Sequence, residues 1–115
     1  MNPLLLVGVG GAAGALSRYV VGRNVARHSL DTLAVNVAGS LLLGALVAAP
    51  VNGDALLLVG TGFCGALTTF STFAFETVRF VETDGGTAAL RNAALNLGGA
   101  LVAVGVGATA VRVLL

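Results

Sequence analysis

Apolar residues fill four long stretches of the chain, and short polar or turn-forming segments separate them. The stretches cover about residues 3–21, 32–49, 55–81 and 88–115. An α-helix needs about 20 consecutive, mostly apolar residues to cross the hydrocarbon core of a bilayer. The pattern therefore predicts an all-α membrane protein with four transmembrane helices.

The segments between the apolar stretches are short. Residues 23–31 form a polar connector, residues 51–54 contain an Asn-Gly pair that favours chain reversal, and residues 82–87 form a polar loop. None of them is long enough to separate domains. Residues 1–115 are therefore predicted to form a single four-span unit.

The third stretch is unlike an ordinary spanning helix, because glycines and hydroxyl residues occupy its centre. The run from Gly65 to Phe73 reads GALTTFSTF. Glycine and consecutive β-branched residues disfavour an unbroken helix, so we predict a helix break at mid-membrane. Unwound backbone is tolerated at that depth only where it is buried or lines a cavity, and its free carbonyls are natural ligands for a hard cation. A sodium-like ion is the simplest occupant.

Asparagines interrupt the second and fourth stretches. Asn36 and Ser40 are four residues apart and share one helix face, and so do Asn92 and Asn96. One isolated asparagine in a membrane helix is often only a hydrogen-bonding contact between helices. Several together favour a polar pathway, because polar groups in hydrocarbon are costly and commonly mark the path of an ion or substrate.

Two aromatic residues lie beside the hydroxyl groups of the third stretch. Phe70 and Phe73 are three residues apart, so their rings point to roughly the same side if the helix resumes after the break. A packing role is the default for such residues. Next to the Ser71 and Thr72 hydroxyls, however, the positive edge of an aromatic ring can attract a small anion that sheds part of its water.

Glycine and alanine are spaced in ways that are typical of helix contact surfaces. Small residues recur four apart at Gly10 and Gly14, at Ser40 and Gly44, and through 99, 103 and 107. Small residues at this spacing let helix backbones approach closely in a bilayer. We therefore predict tight helix packing at these positions.

Composition agrees with the membrane assignment and excludes other classes. Hydrophobic residues make up 57% of the chain and charged residues 10%, so no soluble catalytic domain is expected. The formal net charge of +1 is too small and too dispersed to indicate a nucleic-acid partner. Nucleophile–base pairs and metal-ligand clusters are not evident in the sequence, which argues against an enzyme. His28 lies in a connector and is predicted to be solvated, and Cys64 is predicted to be a small buried apolar residue.

Four sequence blocks resemble the Fluc family of fluoride channels, also known as the CrcB family. They are GGAAGALSRY at 10–19, TLAVNVAG at 32–39, GFCGALTTFSTF at 62–73, and the segment 89–96 with its two asparagines. The block at 62–73 is close to the family signature and is the most specific. The similarity covers essentially the whole chain.

The resemblance implies a fluoride-selective channel of the cell membrane that exports fluoride passively and lowers its cytoplasmic concentration. It also implies an antiparallel, dual-topology dimer with two fluoride pathways. A structural sodium ion is expected at the dimer centre, held by the backbone carbonyls of Gly65 and Thr68. Composition alone does not identify the transported ion.

The resemblance also assigns roles to individual positions. Phe70 and Phe73 match the phenylalanines that line the pores, and Asn36 matches the pore asparagine. With the other matching positions and the asparagines of the fourth span, the candidate fluoride pathway comprises Arg18, Asn36, Phe70, Ser71, Thr72, Phe73, Glu76, Asn92 and Asn96.

The chain departs from the family pattern at several positions. Asp31 stands where the family often has Gly, and Asn92 stands where some members have Tyr. Ala100 and Val104 occupy positions that carry hydroxyl groups in some relatives. An outer polar track along the fourth span is therefore in question.

Two other classes of membrane protein fit part of the pattern. A small multidrug exporter also has four spans, but its proton coupling needs a membrane-embedded carboxylate, which the first span lacks. Glu76 is the only acidic candidate near a span, and it follows the Thr/Ser/Phe segment. A purely structural subunit would account for the glycines. It would leave the asparagines and the Thr/Ser/Phe segment unexplained.

The basic residues are distributed unevenly between the predicted membrane sides. All six are arginines, and Arg112 is the only one on the side opposite to Arg18, Arg23, Arg27, Arg79 and Arg91. The positive-inside rule then places both termini outside. The partner subunit is either a second copy of the same chain or an oppositely oriented paralogue. Because a self-pairing antiparallel subunit must insert both ways, this bias favours the paralogue.

Overall fold

The computed structural model describes residues 1–115 except the side chain of His28, so the prediction that His28 is solvated lies outside the described residues. In the described part of the chain, the regular structure is helical. The helices are α1 (Pro3–Asn24), α2 (His28–Ala48), α3 (residues 53–67), α4 (Ser71–Thr83) and α5 (Gly86–Leu114). Four segments are long and apolar enough to cross a membrane: Pro3–Asn24, Ser29–Ala48, Gly53–Thr83 and Gly86–Leu114. The prediction of four membrane-spanning segments is confirmed.

The first connector is shorter than the sequence predicts. Residues 25–27 alone separate α1 from α2, whereas the polar segment covers 23–31. Asn24 extends α1 because its side-chain amide donates to the Val20 carbonyl at 2.7 Å. Asp31 lies in the first turn of α2, where a carboxylate is favoured by the helix dipole, and it accepts a 2.7 Å hydrogen bond from the Thr32 N–H. Polar residues here begin and end helices instead of forming a loop.

The other two connections are also tight. Asn52 caps α3 by accepting a hydrogen bond from the Ala55 N–H at 2.9 Å, so the predicted turn residue begins the helix. The N-terminal ammonium lies 3.7 Å from the Asp54 carboxylate, at the same end of the bundle. Gly85 joins α4 to α5 with a φ of +97°, a left-handed conformation that glycine adopts without steric cost.

The third span is broken, as predicted, but the break is narrower than the predicted segment. α3 consists of Gly53–Ala55, a π-helix at Leu56–Cys64 and a last turn at Gly65–Leu67. Thr68 then takes an extended conformation, and the helix resumes at Ser71. Gly65 is still helical, so the unwound backbone covers residues 68–70 only.

The spans pack as two close pairs, α1 with α3 and α2 with α5. A methyl group added at Gly10 would collide with the Leu58 carbonyl, and one added at Gly14 with the Phe63 carbonyl. Gly44 and Gly107 allow the same close approach between α2 and α5, against the Val104 and Leu41 carbonyls respectively. The predicted small-residue contact surfaces are confirmed at these four glycines.

Most large apolar side chains face outward, and the buried positions include small and polar residues. Cys64 is buried, as predicted. The polar residues Thr32, Asn92 and Asn96 are more deeply buried than most of the leucines. This is the arrangement expected of a bundle whose outer surface contacts lipid.

Candidate functional site

The break in the third span is held by one side chain of α2. Asn36 Oδ1 accepts a hydrogen bond from the Thr69 N–H at 2.8 Å, and Asn36 Nδ2 donates to the Thr69 carbonyl at 3.1 Å. In a continuous α-helix the Thr69 N–H would donate to the Gly65 carbonyl instead. Asn36 therefore satisfies both backbone groups of Thr69 and stabilises the interruption of the helix.

Three asparagine amides join in a chain of hydrogen bonds that we call the asparagine ladder (Asn36, Asn96 and Asn92). Asn36 Nδ2 donates to Asn96 Oδ1 at 3.1 Å. Asn96 Nδ2 donates in turn to the Asn92 backbone carbonyl at 3.0 Å and to Asn92 Oδ1 at 3.3 Å. The three amides thus form one continuous polar line from α2 into α5.

Thr77 connects the far end of the ladder to α4. Asn92 Nδ2 donates to Thr77 Oγ1 at 3.0 Å, and Thr77 Oγ1 donates to the Phe73 carbonyl at 2.8 Å. The hydroxyl thus acts as acceptor and donor at once. The hydrogen-bond network of the ladder therefore includes side chains of both α4 and α5.

The ladder uses the whole donor capacity of Asn36. A carboxamide has two N–H donors, and those of Asn36 go to the Thr69 carbonyl and to Asn96 Oδ1. In this conformation Asn36 has no N–H left for an ion. The sequence identified the residue but did not indicate that its donors are already occupied.

Hydroxyl groups cluster at the start of α4. Thr69 Oγ1 donates to Thr72 Oγ1 at 3.2 Å, lies 3.4 Å from Ser71 Oγ, and accepts the Thr72 N–H at 3.2 Å. Ser71 and Thr72 are exposed. Hydroxyl hydrogens can rotate toward a new acceptor, so this cluster can supply donors to an anion.

The two phenylalanines contact each other, as their spacing predicts. The Phe70 and Phe73 ring centroids are 5.7 Å apart, with the ring planes at 55°. Phe73 is half-buried, whereas Phe70 is 78% exposed. Tilted pairs of this kind leave positive ring edges available to a neighbouring negative charge.

Arg18 reaches the break from α1. Its Nη1 donates to the Thr68 carbonyl at 3.2 Å, which is one of the two carbonyls that the family resemblance assigns to sodium. A carbonyl oxygen has two lone pairs, so this bond leaves one for a metal. The positive guanidinium, however, opposes a cation placed at the same oxygen.

The donor set at the break partly fits a sodium ion. The Gly65 carbonyl lacks its usual helical partner because the Thr69 N–H is bound to Asn36, and Gly65 is exposed. Neutral carbonyl oxygens at an interrupted membrane helix are the ligands that sodium takes in such sites. Gly65 and Thr68 could hold the ion together with further oxygens from outside this chain.

Two cavities meet at the break. A mid-membrane cavity of about 360 Å³ contains most of the predicted site, namely Asn36, Gly65, Thr68, Phe70, Phe73 and Asn96. A second cavity of about 500 Å³, which we call the vestibule, is lined by Arg18, Asp31 and Thr72 and lies toward the end of the bundle where α1 ends and α2 begins. Thr69 lines both cavities, so this residue lies between them.

The structure also places Glu76 and the two positions of the fourth span that depart from the family pattern. Glu76 is half-buried on α4, one turn beyond Thr72. Ala100 lines the mid-membrane cavity as an apolar group, and the backbone of Val104 packs against Gly44. α5 therefore has no side-chain hydroxyl group at either position.

Sequence reasoning did not select Thr69 or Thr77 as site residues. Thr69 bonds to Asn36 through its backbone and organises the hydroxyl cluster, and its only sequence signal is the paired threonine at 68–69. Thr77 lies four residues after Phe73 and bonds to that residue's carbonyl. A threonine in mid-helix gives no indication that an asparagine from another span will reach it.

Four spans, a broken third span and a polar network at the break define a small multi-pass membrane protein with a polar site inside the bilayer. Residues 5–108 match the family described as CrcB-like protein, Camphor Resistance (CrcB). The chain belongs to this family, which confirms the resemblance found in the sequence.

Several curated relatives are similar over nearly their whole length. The chain is 52% identical to fluoride-specific ion channel FluC 2 of Natronomonas pharaonis, over 90% of this chain and 89% of the relative. It is 49% identical to FluC 2 of Haloarcula marismortui, over 94% and 92% respectively. It is 48% identical to FluC of Methanocaldococcus jannaschii, over 90% of each chain.

Proposed function

We propose that this chain is a subunit of a fluoride-selective channel through which fluoride leaves the cell passively. The observation that carries the proposal is the cluster of amides, hydroxyls and aromatic edges at the mid-membrane break. Relatives about half identical to this chain are named fluoride-specific ion channels, which supports the choice of ion. No step of the proposed transport requires an energy source.

Fluoride would cross between the vestibule and the mid-membrane cavity at Thr69. The Thr69 and Thr72 hydroxyls would replace part of its water, and the edges of Phe70 and Phe73 would face it in the cavity. Such replacement is needed because a bare anion in an apolar environment is very costly. Thr69 lies on this route because it lines both cavities.

Asn36 would take part by exchanging a hydrogen bond. Its Nδ2–H bond to Asn96 Oδ1 joins two neutral groups, and a charged acceptor binds an N–H about twice as strongly as a neutral one. Fluoride in the cavity would therefore compete for this N–H, while the two bonds from Asn36 to Thr69 keep the break in place. The ladder would close again when the ion leaves.

We also propose that the channel is an antiparallel dimer with a structural sodium ion at its centre. The carbonyls of Gly65 and Thr68 would supply part of the metal site, and a second subunit would supply the rest. The exposed Phe70 ring and Gly65 backbone are features that a partner could cover. The partner is either a second copy of this chain or an oppositely oriented paralogue, and the arginine bias favours the paralogue.

Ion efflux from liposomes tests the proposal. The purified chain, alone and then co-purified with a paralogue, is placed in liposomes loaded with equal fluoride and chloride, and both ions are measured with selective electrodes. We expect fluoride efflux that exceeds chloride efflux by orders of magnitude. Equal release of both ions, or no release from either preparation, would contradict the proposed function.

A further inference from the structure

A third cavity, of about 390 Å³, lies between the start of α2, the end of α4 and the start of α5. Its polar lining includes Arg27, Ser29, Arg91 and Asn92, and Phe80 forms part of its apolar wall. Because α2 and α5 both begin here, the cavity lies at one end of the bundle and therefore near one membrane surface.

The cavity is positively charged. Among the described residues that line it, two are arginines and none is acidic. Arg27 and Arg91 are exposed, and neither forms a hydrogen bond or ion pair within the described part of the chain. A concave site with charges of one sign raises the local concentration of counter-ions.

The asparagine ladder connects this cavity to the mid-membrane cavity. Asn92 lines the arginine cavity, and its ladder neighbour Asn96 lines the mid-membrane cavity. The two amides are hydrogen-bonded at 3.3 Å, and both residues are buried. A polar line therefore leads from the charged cavity at the end of the bundle to the break in the third span.

We infer that this cavity is a second mouth of the anion pathway, at the same end of the bundle as the vestibule, where Arg27 and Arg91 concentrate small anions before they reach Asn92. This role rests on the proposed function, in which Arg27 and Arg91 collect the transported anion at this end of the bundle. The arginines act by charge and from a distance. Their effect must therefore weaken as salt screens it over the Debye length, about 10 Å at 0.1 M.

Fluoride flux in uncharged liposomes tests the inference. Removing one unit charge about 5 Å from an ion in water lowers the local anion concentration roughly fourfold. We expect Arg27→Gln and Arg91→Gln each to reduce flux by about this factor at low ionic strength, with the difference disappearing at high concentrations of an impermeant salt. Arg27→Lys and Arg91→Lys should retain most of the flux because they keep the charge.

Arg112→Gln is the matched control, since Arg112 is an exposed arginine in the last turn of α5, at the other end of that helix. Its flux should equal that of the unmodified chain. Unchanged flux in both Arg27→Gln and Arg91→Gln would overturn the inference. So would a reduction in their flux, relative to the unmodified chain, that persists at high salt. A loss seen only in liposomes that contain anionic lipid would assign the arginines to a lipid headgroup and would also overturn it. If the unmodified chain does not conduct fluoride in any preparation, the proposed function itself fails.

Discussion

Replacing Asn36 by leucine tests the link between the ladder and the break most directly. The substitution keeps the approximate volume and removes three hydrogen bonds, two to Thr69 and one to Asn96. At about 0.6–1 kcal/mol per bond, the expected loss of stability is roughly 2–3 kcal/mol. Fluoride flux should be lost, because the Thr69 backbone is released and the amide that exchanges with the ion is gone.

The assay combines stability with transport. Thermal unfolding of the purified protein in detergent, followed by size-exclusion chromatography, measures the fraction that remains assembled, and an electrode measures fluoride efflux from liposomes. Asn24→Leu is the matched control, because Asn24 is an exposed asparagine whose side chain makes one local bond at the end of α1. It should lose less than about 1 kcal/mol and conduct normally.

Two outcomes would refute the reasoning. Undiminished flux through Asn36→Leu would make this residue a helix-packing contact with no part in transport. Unchanged stability would show that the Thr69 backbone groups find other partners, so that Asn36 does not hold the break. Loss of flux with an intact, correctly assembled protein would assign the effect to ion passage alone.

The remaining predictions concern Thr77, the structural sodium ion and the orientation in the membrane. Thr77→Val should lower fluoride flux several-fold without loss of assembly, because Asn92 loses its hydrogen-bond acceptor. The control Thr83→Val removes a similar hydroxyl-to-backbone bond at 2.9 Å and should leave flux unchanged. Equal effects of the two substitutions would exclude a specific role for Thr77. Replacing sodium by a bulky organic cation should weaken flux or dimer stability, since an ion that binds only the assembled state stabilises it; no change in either would remove the metal from the proposal. Terminal reporter fusions should show predominantly one orientation, and robust fluoride efflux from this chain purified alone would refute an obligate heterodimer.

The spans and the break could be predicted from the sequence because both depend on local properties. Apolar length decides whether a segment can cross the bilayer, and the Gly/Thr/Ser composition of residues 65–73 disfavours a continuous helix there. Helix ends were less predictable. Asn24 and Asp31 are polar residues that a connector would also contain, and only their hydrogen bonds show that they belong to helices.

The partners of the site residues were decided by tertiary structure alone. Helix periodicity places Asn36 on one face of α2 but does not indicate which helix that face contacts. Its partners Thr69 and Asn96 are 33 and 60 residues away, and Arg18 reaches the Thr68 carbonyl across 50 residues. Glycine contacts between α1 and α3 and between α2 and α5 set these distances. Since a hydrogen bond needs its two atoms within about 3 Å, the network exists only once the helices have packed.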